Sequence, residues 1–322
     1  MGFIGSFTET NFLGRGQYLK LEISAGLDLR TYAFSFAEPN LFGRDLTVGV
    51  NASYSERYWA DDLFRTSTGY FRPYMSFPIS ELSTIGVNAG AELANIQSYA
   101  GDSAIMTAEA ARGRQIGATA GLDYTFDTRR NGLEEPTFAY VKVSGTIGGL
   151  GADNQYARGT VLGNVTSSAL NDQVTLKATV EGGAIASMSG GPGTRITERF
   201  VMSPQQVLGF ASLGMGPRDL TATDDDVLGG NLYTAARLEA DFPIGLPEEY
   251  GITGGVFLHA GSVWGLDNPG TVDDAFNLRA SGGAAVNWDT PFGPLRFYYA
   301  VPILKETYDE ERRFGVSIST GF

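Results

Sequence analysis

The sequence predicts an all-β chain that crosses a membrane as an antiparallel up-and-down β-barrel, with a long loop folded into its lumen. Three observations predict it. Segments of roughly ten residues alternate apolar and polar side chains with the period of a strand. The connections between them switch regularly between short Gly/Asn/Pro turns and longer, more polar loops. One apolar stretch, Arg199 to Asp219, is interrupted by Pro204, Gly209, Gly214, Gly216 and Pro217, so it forms neither a regular helix nor a central strand. Such a segment reads as a loop that must be buried, and a wide barrel is a place where its backbone groups can find partners.

Nothing resembling a Pro- or Ser-rich linker divides the 322 residues, which are read as one domain, 1–322. The chain has 43 glycines and no cysteine, which suits a β-rich protein built without disulfides. No apolar run is long enough for a spanning helix. The net charge is −13, and the Lys and Arg residues are scattered, which argues against nucleic-acid binding. Met1-Gly2-Phe3 opens without a charged and then apolar leader, so a signal for export is expected upstream.

Taken in order, the first clear strand holds Leu19, Leu21, Ile23 and Ala25 on one face and Lys20, Glu22 and Ser24 on the other. Leu46, Val48, Val50, Ala52 and Tyr54 repeat the pattern against Thr47, Gly49, Asn51, Ser53 and Ser55. It returns in Ile85, Val87, Ala89, Ala91 and Leu93, and again in Ile116, Ala118, Ala120, Leu122, Tyr124 and Phe126. A soluble sandwich alternates too. Strand length, charge confined to one face, and aromatics near strand ends favour the membrane barrel. Those aromatics are Tyr18, Tyr54, Tyr58, Trp59, Tyr70, Phe71, Tyr74, Tyr124 and Phe126.

Short turns fall at residues 11–16, 39–45, 78–82, 129–136, 170–173, 243–249 and 289–294; longer connections fall at 57–64, 100–113, 150–155, 190–230, 266–276 and 305–312. Short turns on one rim and long loops on the other describe an up-and-down outer-membrane barrel, here with about fifteen strands.

Several segments together resemble the barrel domain of the outer-membrane protein assembly factor BamA family, in the POTRA-transporter superfamily that also holds TamA and the two-partner secretion transporters. They are Asn231 to Glu239, Asp241 to Pro247, Ala260 to Trp264, Trp288 to Arg296 and the ending Phe314 to Phe322, with Asn11 to Gly16 and Glu38 to Gly43 resembling that family's periplasmic turns. The resemblance implies about sixteen strands, with Phe3 to Thr10 as the second. The first strand and the periplasmic POTRA domains are then expected to lie outside this sequence.

The resemblance also implies a site. In the family a V/I-R-G-F/Y motif at the loop tip folds back into the lumen, where its arginine meets acids on the wall. Here the motif reads Val207-Leu208-Gly209-Phe210. One acidic position matches Glu239, and the other is His259. With the arginine gone and one acid replaced, a compensated packing variant is expected, because an unpaired buried acid would be costly. Phe210 is expected to pack near Glu239 and His259. The alternative is a plain plug.

No cofactor and no enzymatic activity are expected. His259 is the one histidine and there is no cysteine, so a zinc site would need carboxylates alone beside it. A Ser-His-Asp hydrolase finds no visible partners. Asp224, Asp225 and Asp226 read as a solvated loop tip.

The function implied by the resemblance is insertion of unfolded β-barrel clients into the bacterial outer membrane, with periplasmic lipoprotein subunits as partners and the lipid bilayer around the wall. Its seam strand would be the last one: Phe314, Val316, Ile318 and Phe322 share the lipid face, while Gly315 and Gly321 offer no side chain to hold register. Such an edge can template an added strand. The alternatives are a polypeptide-secretion transporter of the same superfamily and a passive porin. A porin with an acidic, polar lumen would favour cations.

Overall fold

The computed structural model describes residues 3–26, 29–59, 64–131, 136–171, 173–188, 190–223, 226–270, 272–290 and 293–318. Its strands are β1 (Phe3–Phe12), β2 (Gln17–Ala25), β3 (Leu29–Glu38), β4 (Thr47–Trp59), β5 (Phe64–Pro78), β6 (Ser83–Gln97), β7 (Gln115–Asp127), β8 (Thr137–Leu150), β9 (Tyr156–Ala169) and β10 (Val174–Ser187). Three short pieces lie in the long loop: β11 (Gly209–Phe210), β12 (Arg218–Asp219) and β13 (Asp226–Val227). The wall resumes with β14 (Leu232–Pro243), β15 (Ile252–Trp264), β16 (Arg279–Thr290) and β17 (Gly293–Leu304), then β18 (Glu311–Arg312) and β19 (Phe314–Ile318).

Fifteen of these form one antiparallel sheet in chain order, β1 to β10, then β14 to β17, then β19. Consecutive pairing with alternating rims is the up-and-down arrangement the sequence predicts. The register carries the two-face pattern around the wall: Val87 faces Met75 on one side and Leu122 on the other, and those three are 36%, 38% and 56% exposed in the isolated chain. Such a band is the lipid face of a barrel.

The opposite face is polar and cross-linked. Lys177 meets Asp241 at 2.7 Å and Arg237 meets Glu181 at 2.6 Å, both across the β10/β14 boundary. Asn287 Nδ2 donates to Asp241 Oδ1 at 2.9 Å. Tyr70 and Tyr74 line cavities on this inner side, so they are not part of an outer aromatic girdle. Both lie in register with Arg72 on alternate residues of β5, and it is their parity rather than their type that decides their face.

The extracellular end is capped by the long loop and by α1 (Ala104–Ala111), a helix that alternation does not reveal. Ser103 starts it by accepting a hydrogen bond from the Met106 amide at 3.4 Å, as an N-cap does. Met106 and Glu109 are its buried residues.

Candidate functional site

The loop descends from the cap into the barrel and turns at Ser203 to Gln206, where Gln206 Oε1 accepts the Ser203 amide at 2.8 Å. Its tip is fully enclosed: Val207 and Phe210 are 0% exposed and Leu208 is 7%. Gly209 has φ +97, and a Cβ there would meet Ala300 Cβ at 3.2 Å and Ser281 Cβ at 3.3 Å. The tip backbone is therefore pressed directly on β16 and β17, which only glycine permits at that φ.

A buried irregular backbone needs hydrogen-bond partners, and two sources supply them. The wall is one: the Leu208 amide donates to His259 Nδ1 at 3.3 Å, and Ser281 Oγ donates to the Leu208 carbonyl. The hairpin between β17 and β19 is the other, since Gly209 pairs with Arg312 and Phe210 with Glu311. The Ala211 amide donates to the Glu310 carbonyl at 2.9 Å, and the Glu310 amide donates to the Gly214 carbonyl at 3.0 Å.

Glu239 sits just below. Its Oε1 lies 2.9 Å from His259 Nε2, and its Oε2 accepts from Arg296 Nη1 at 2.7 Å. Because the Leu208 amide can only donate, His259 Nδ1 accepts, which places the ring proton on Nε2 toward Glu239. The chain Leu208, His259, Glu239, Arg296 thus links the loop tip across β15 and β14 to β17.

Two expectations are corrected here. Glu239 is not held by packing alone: Arg296, on the wall, pairs with it at 2.7 Å. Phe210 does not pack at Glu239; it lies with Met202, Val207, Met215, Ala235 and Val263. Leu208 takes that place, clustered with Phe257, Ala285, Tyr298 and Ala300. Sequence reasoning missed Arg296 and Ser281, although Arg296 closes the Trp288 to Arg296 segment and shares the inward parity of Tyr298.

The acidic run is also different from a solvated tip. Asp226 is 1% exposed and accepts the Tyr99 hydroxyl at 2.5 Å; Asp224 and Asp225 lie outside the described residues. Asp219 accepts from Ser103 Oγ at 2.6 Å, so β12 and β13 tie the loop to the foot of α1. Arg199 pairs with Glu109 of the same helix at 2.7 Å.

On the last strand, Phe314 and Val316 are 61% and 47% exposed, on the outward face. Gly315 is not an empty position. It faces Tyr298 in register, and a Cβ there would fall 2.1 Å from the Tyr298 hydroxyl oxygen, so the ring covers the glycine and holds the register that a side chain otherwise would. The Ile318 side chain, Gly321 and Phe322 lie outside the described residues.

The cap is expected to loosen in acid. The Arg112 hydrogen bond holds the Asp153 carboxyl below the usual carboxylate range, against the upward pull of burial. Burial pulls Asp219 up, but hydrogen bonds from Ser103, Thr221 and Ala222 bring it below that range. A carboxyl depressed in the fold contributes stability that is complete above its ordinary value of 3.8 and is lost as pH falls through the lower folded value. Glu198 is pushed up by burial, so its protonation comes first and does not by itself loosen the cap. Hydrogen exchange across residues 190–223 is therefore expected to stay slow down to about pH 4 and to rise below it. A rise beginning near neutrality would mean that other groups hold the loop.

Residues 11–322 match the Omp85 superfamily domain. An outer membrane protein assembly factor BamA from Neorickettsia risticii (strain Illinois) is 26% identical over 324 residues, covering 98% of this chain and 43% of that protein. Another, from Nitratidesulfovibrio vulgaris, is 27% identical over 318 residues, covering 98% of this chain and 39% of that protein. The chain thus spans less than half the length of these relatives. Among solved structures, BamA from Haemophilus ducreyi lacking POTRA domains 1-3 matches with a TM-score of 0.80 at 21% identity, over 98% of this chain and 66% of that one. CdiB from Escherichia coli matches with 0.61 at 14% identity, over 98% and 58%.

Proposed function

The chain belongs to the Omp85 superfamily of outer-membrane barrels, and from that membership we propose that it is the core of an assembly factor which inserts β-barrel clients into the outer membrane through a lateral seam. The assembly-factor relatives that cover 98% of this chain at 26% and 27% identity support this reading over secretion through the lumen. So does a loop tip hydrogen-bonded to the inner wall, where it would obstruct a passing polypeptide. Clients are unfolded barrel proteins, and periplasmic lipoproteins complete the machine.

The observation that carries the proposal is the last strand. Among the described residues β19 pairs with β17 from Leu295 with Ile318 through Tyr299 with Phe314. In the described sheet β19 has no strand on its other side. The Ala300 amide donates to the Arg313 carbonyl at 2.7 Å, so in an antiparallel ladder Arg313, Gly315 and Ser317 point their backbone groups at β17. Phe314, Val316 and Ile318 then point theirs away from β17, toward the seam, where a client strand can add.

Val316→Pro tests this. In the full-length protein it removes one seam-side N–H without touching the β17 ladder, a place where an edge strand tolerates proline. Client insertion is expected to fall roughly tenfold or more, the factor that matches one lost ladder hydrogen bond, while the variant's own heat-modifiable gel mobility is retained. Val316→Thr keeps the donor and should insert normally. Normal insertion by the proline variant would remove the seam mechanism and leave lumen transport as the better reading.

A further inference from the structure

We propose that the lumen wall carries a binding site for a free multivalent oxyanion of the phosphate or sulfate class, held by Arg72, Lys142 and Arg158. All three line one cavity of about 490 Å³ on the side of the lumen opposite the loop-tip site, together with Thr68, Ser144 and Thr160. Lys142 and Arg158 also line an adjoining cavity of about 340 Å³, and Arg72 and Lys142 another of about 480 Å³. Lys142 thus borders all three spaces, with Arg158 beside it on one and Arg72 on another.

In a chain of net charge −13, cations facing a cavity are expected to be matched by carboxylates. These are not. The carboxylates of the same cavity are engaged with other groups. Asp123 accepts from Asn88 Nδ2 at 3.0 Å and from Ser144 Oγ at 2.6 Å. Glu92 accepts the Gly149 amide and the Tyr156 hydroxyl, each at 2.8 Å. Glu198 accepts from Asn154 Nδ2 at 3.0 Å and from the Arg195 amide at 3.1 Å, and lies 3.6 Å from Arg195 Nε. Among the described residues none of Arg72, Lys142 and Arg158 makes an ion pair with any of them.

Two of the cations are held instead by aromatic faces. The Arg158 guanidinium carbon lies 4.3 Å from the centroid of the Phe200 ring, and that of Arg72 lies 4.9 Å from the centroid of Tyr70. Stacking fixes a guanidinium in place and leaves its in-plane N–H donors available; Arg72 Nε is enclosed and has no acceptor. Planar donors from two arginines and the point charge of a lysine suit a compact oxyanion with several acceptor oxygens. The β-wall separates the cavity from lipid, so the ligand is a free anion and not a headgroup. The local preference is the reverse of the cation-favouring lumen that net charge implies, because a cavity responds to the groups that line it and not to the chain total.

The experiment is calorimetric titration of the purified protein in phosphatidylcholine nanodiscs with inorganic phosphate, sulfate, and sodium chloride at matched ionic strength. Saturable binding of phosphate or sulfate, absent with chloride, is expected. Lys142→Gln, a change at an exposed side chain, should weaken it roughly tenfold, as loss of one charge-assisted contact does, and Arg72→Gln should do the same. Lys142→Arg should retain it. No saturable binding in the parent, or equal affinity in Lys142→Gln and Arg72→Gln variants that keep folded gel mobility, overturns the site.

Discussion

Arg296→Met will destabilise the barrel by roughly 3 kcal/mol, the low end of the cost of removing one partner from a buried ion pair. Glu239 would remain, with its side chain 15% exposed, hydrogen-bonded to His259 Nε2 and with the cross-strand Lys177 engaged by Asp241. A carboxylate in that position has lost the guanidinium 2.7 Å away and cannot recover full hydration, because the tip at Leu208 closes the lumen above it. Methionine keeps the length of the arginine stem against Phe257, so the loss reports charge more than volume. The control is the double change Glu239→Leu with Arg296→Met. Removing both partners should restore most of the loss, since two apolar groups of similar volume leave no unpaired ion. The midpoint of urea unfolding in detergent micelles measures all three, and a double variant as unstable as the single one would show that the pair contributes through shape alone.

The same pair marks the limit of what the residues alone reveal. The wall is legible because a strand exposed to lipid on one side and to the lumen on the other must alternate, and Leu21, Val87 and Leu122 do so without exception. The burial of the loop is legible because residues as apolar as Val207, Leu208 and Phe210 cannot be left in water between prolines and glycines. Which wall residue stands opposite each loop residue is not legible. Arg296 lies 57 positions from Glu239, and only closure of β14 through β17 brings them together. Parity says that both point inward; it does not say that they meet. The helix at Ala104–Ala111 is hidden for another reason: eight residues between loops leave too short a window for a helical period to stand out. Tyr298 over Gly315 escapes the sequence because a glycine in a strand reads as a gap, when a neighbouring ring can fill it.

Val87→Arg is expected to cost roughly 2–4 kcal/mol, the range for a cation near the midplane of a barrel's lipid face. Val87 stands four residues above the start of β6 at Ser83, and its cross-strand neighbours Met75 and Leu122 are apolar and face the same way. An arginine there has no carboxylate to pair with in the adjacent strands on that face, and it can reach water only by snorkelling past them. Asn51→Arg is the matched control. It stands four residues above the start of β4 at Thr47 and lines a lumen cavity with Asp123, Asp127, Arg72 and Lys142, so its charge remains solvated, and the like charge of Arg72 directly across the strand pair adds only a small cost. Its cost should be within about 1 kcal/mol of zero. Folding into phosphatidylcholine vesicles under a urea titration, followed by gel mobility, gives both values. If the two substitutions cost the same, the faces are not lipid and lumen, and the alternation that organises the whole chain would belong to a soluble sandwich instead.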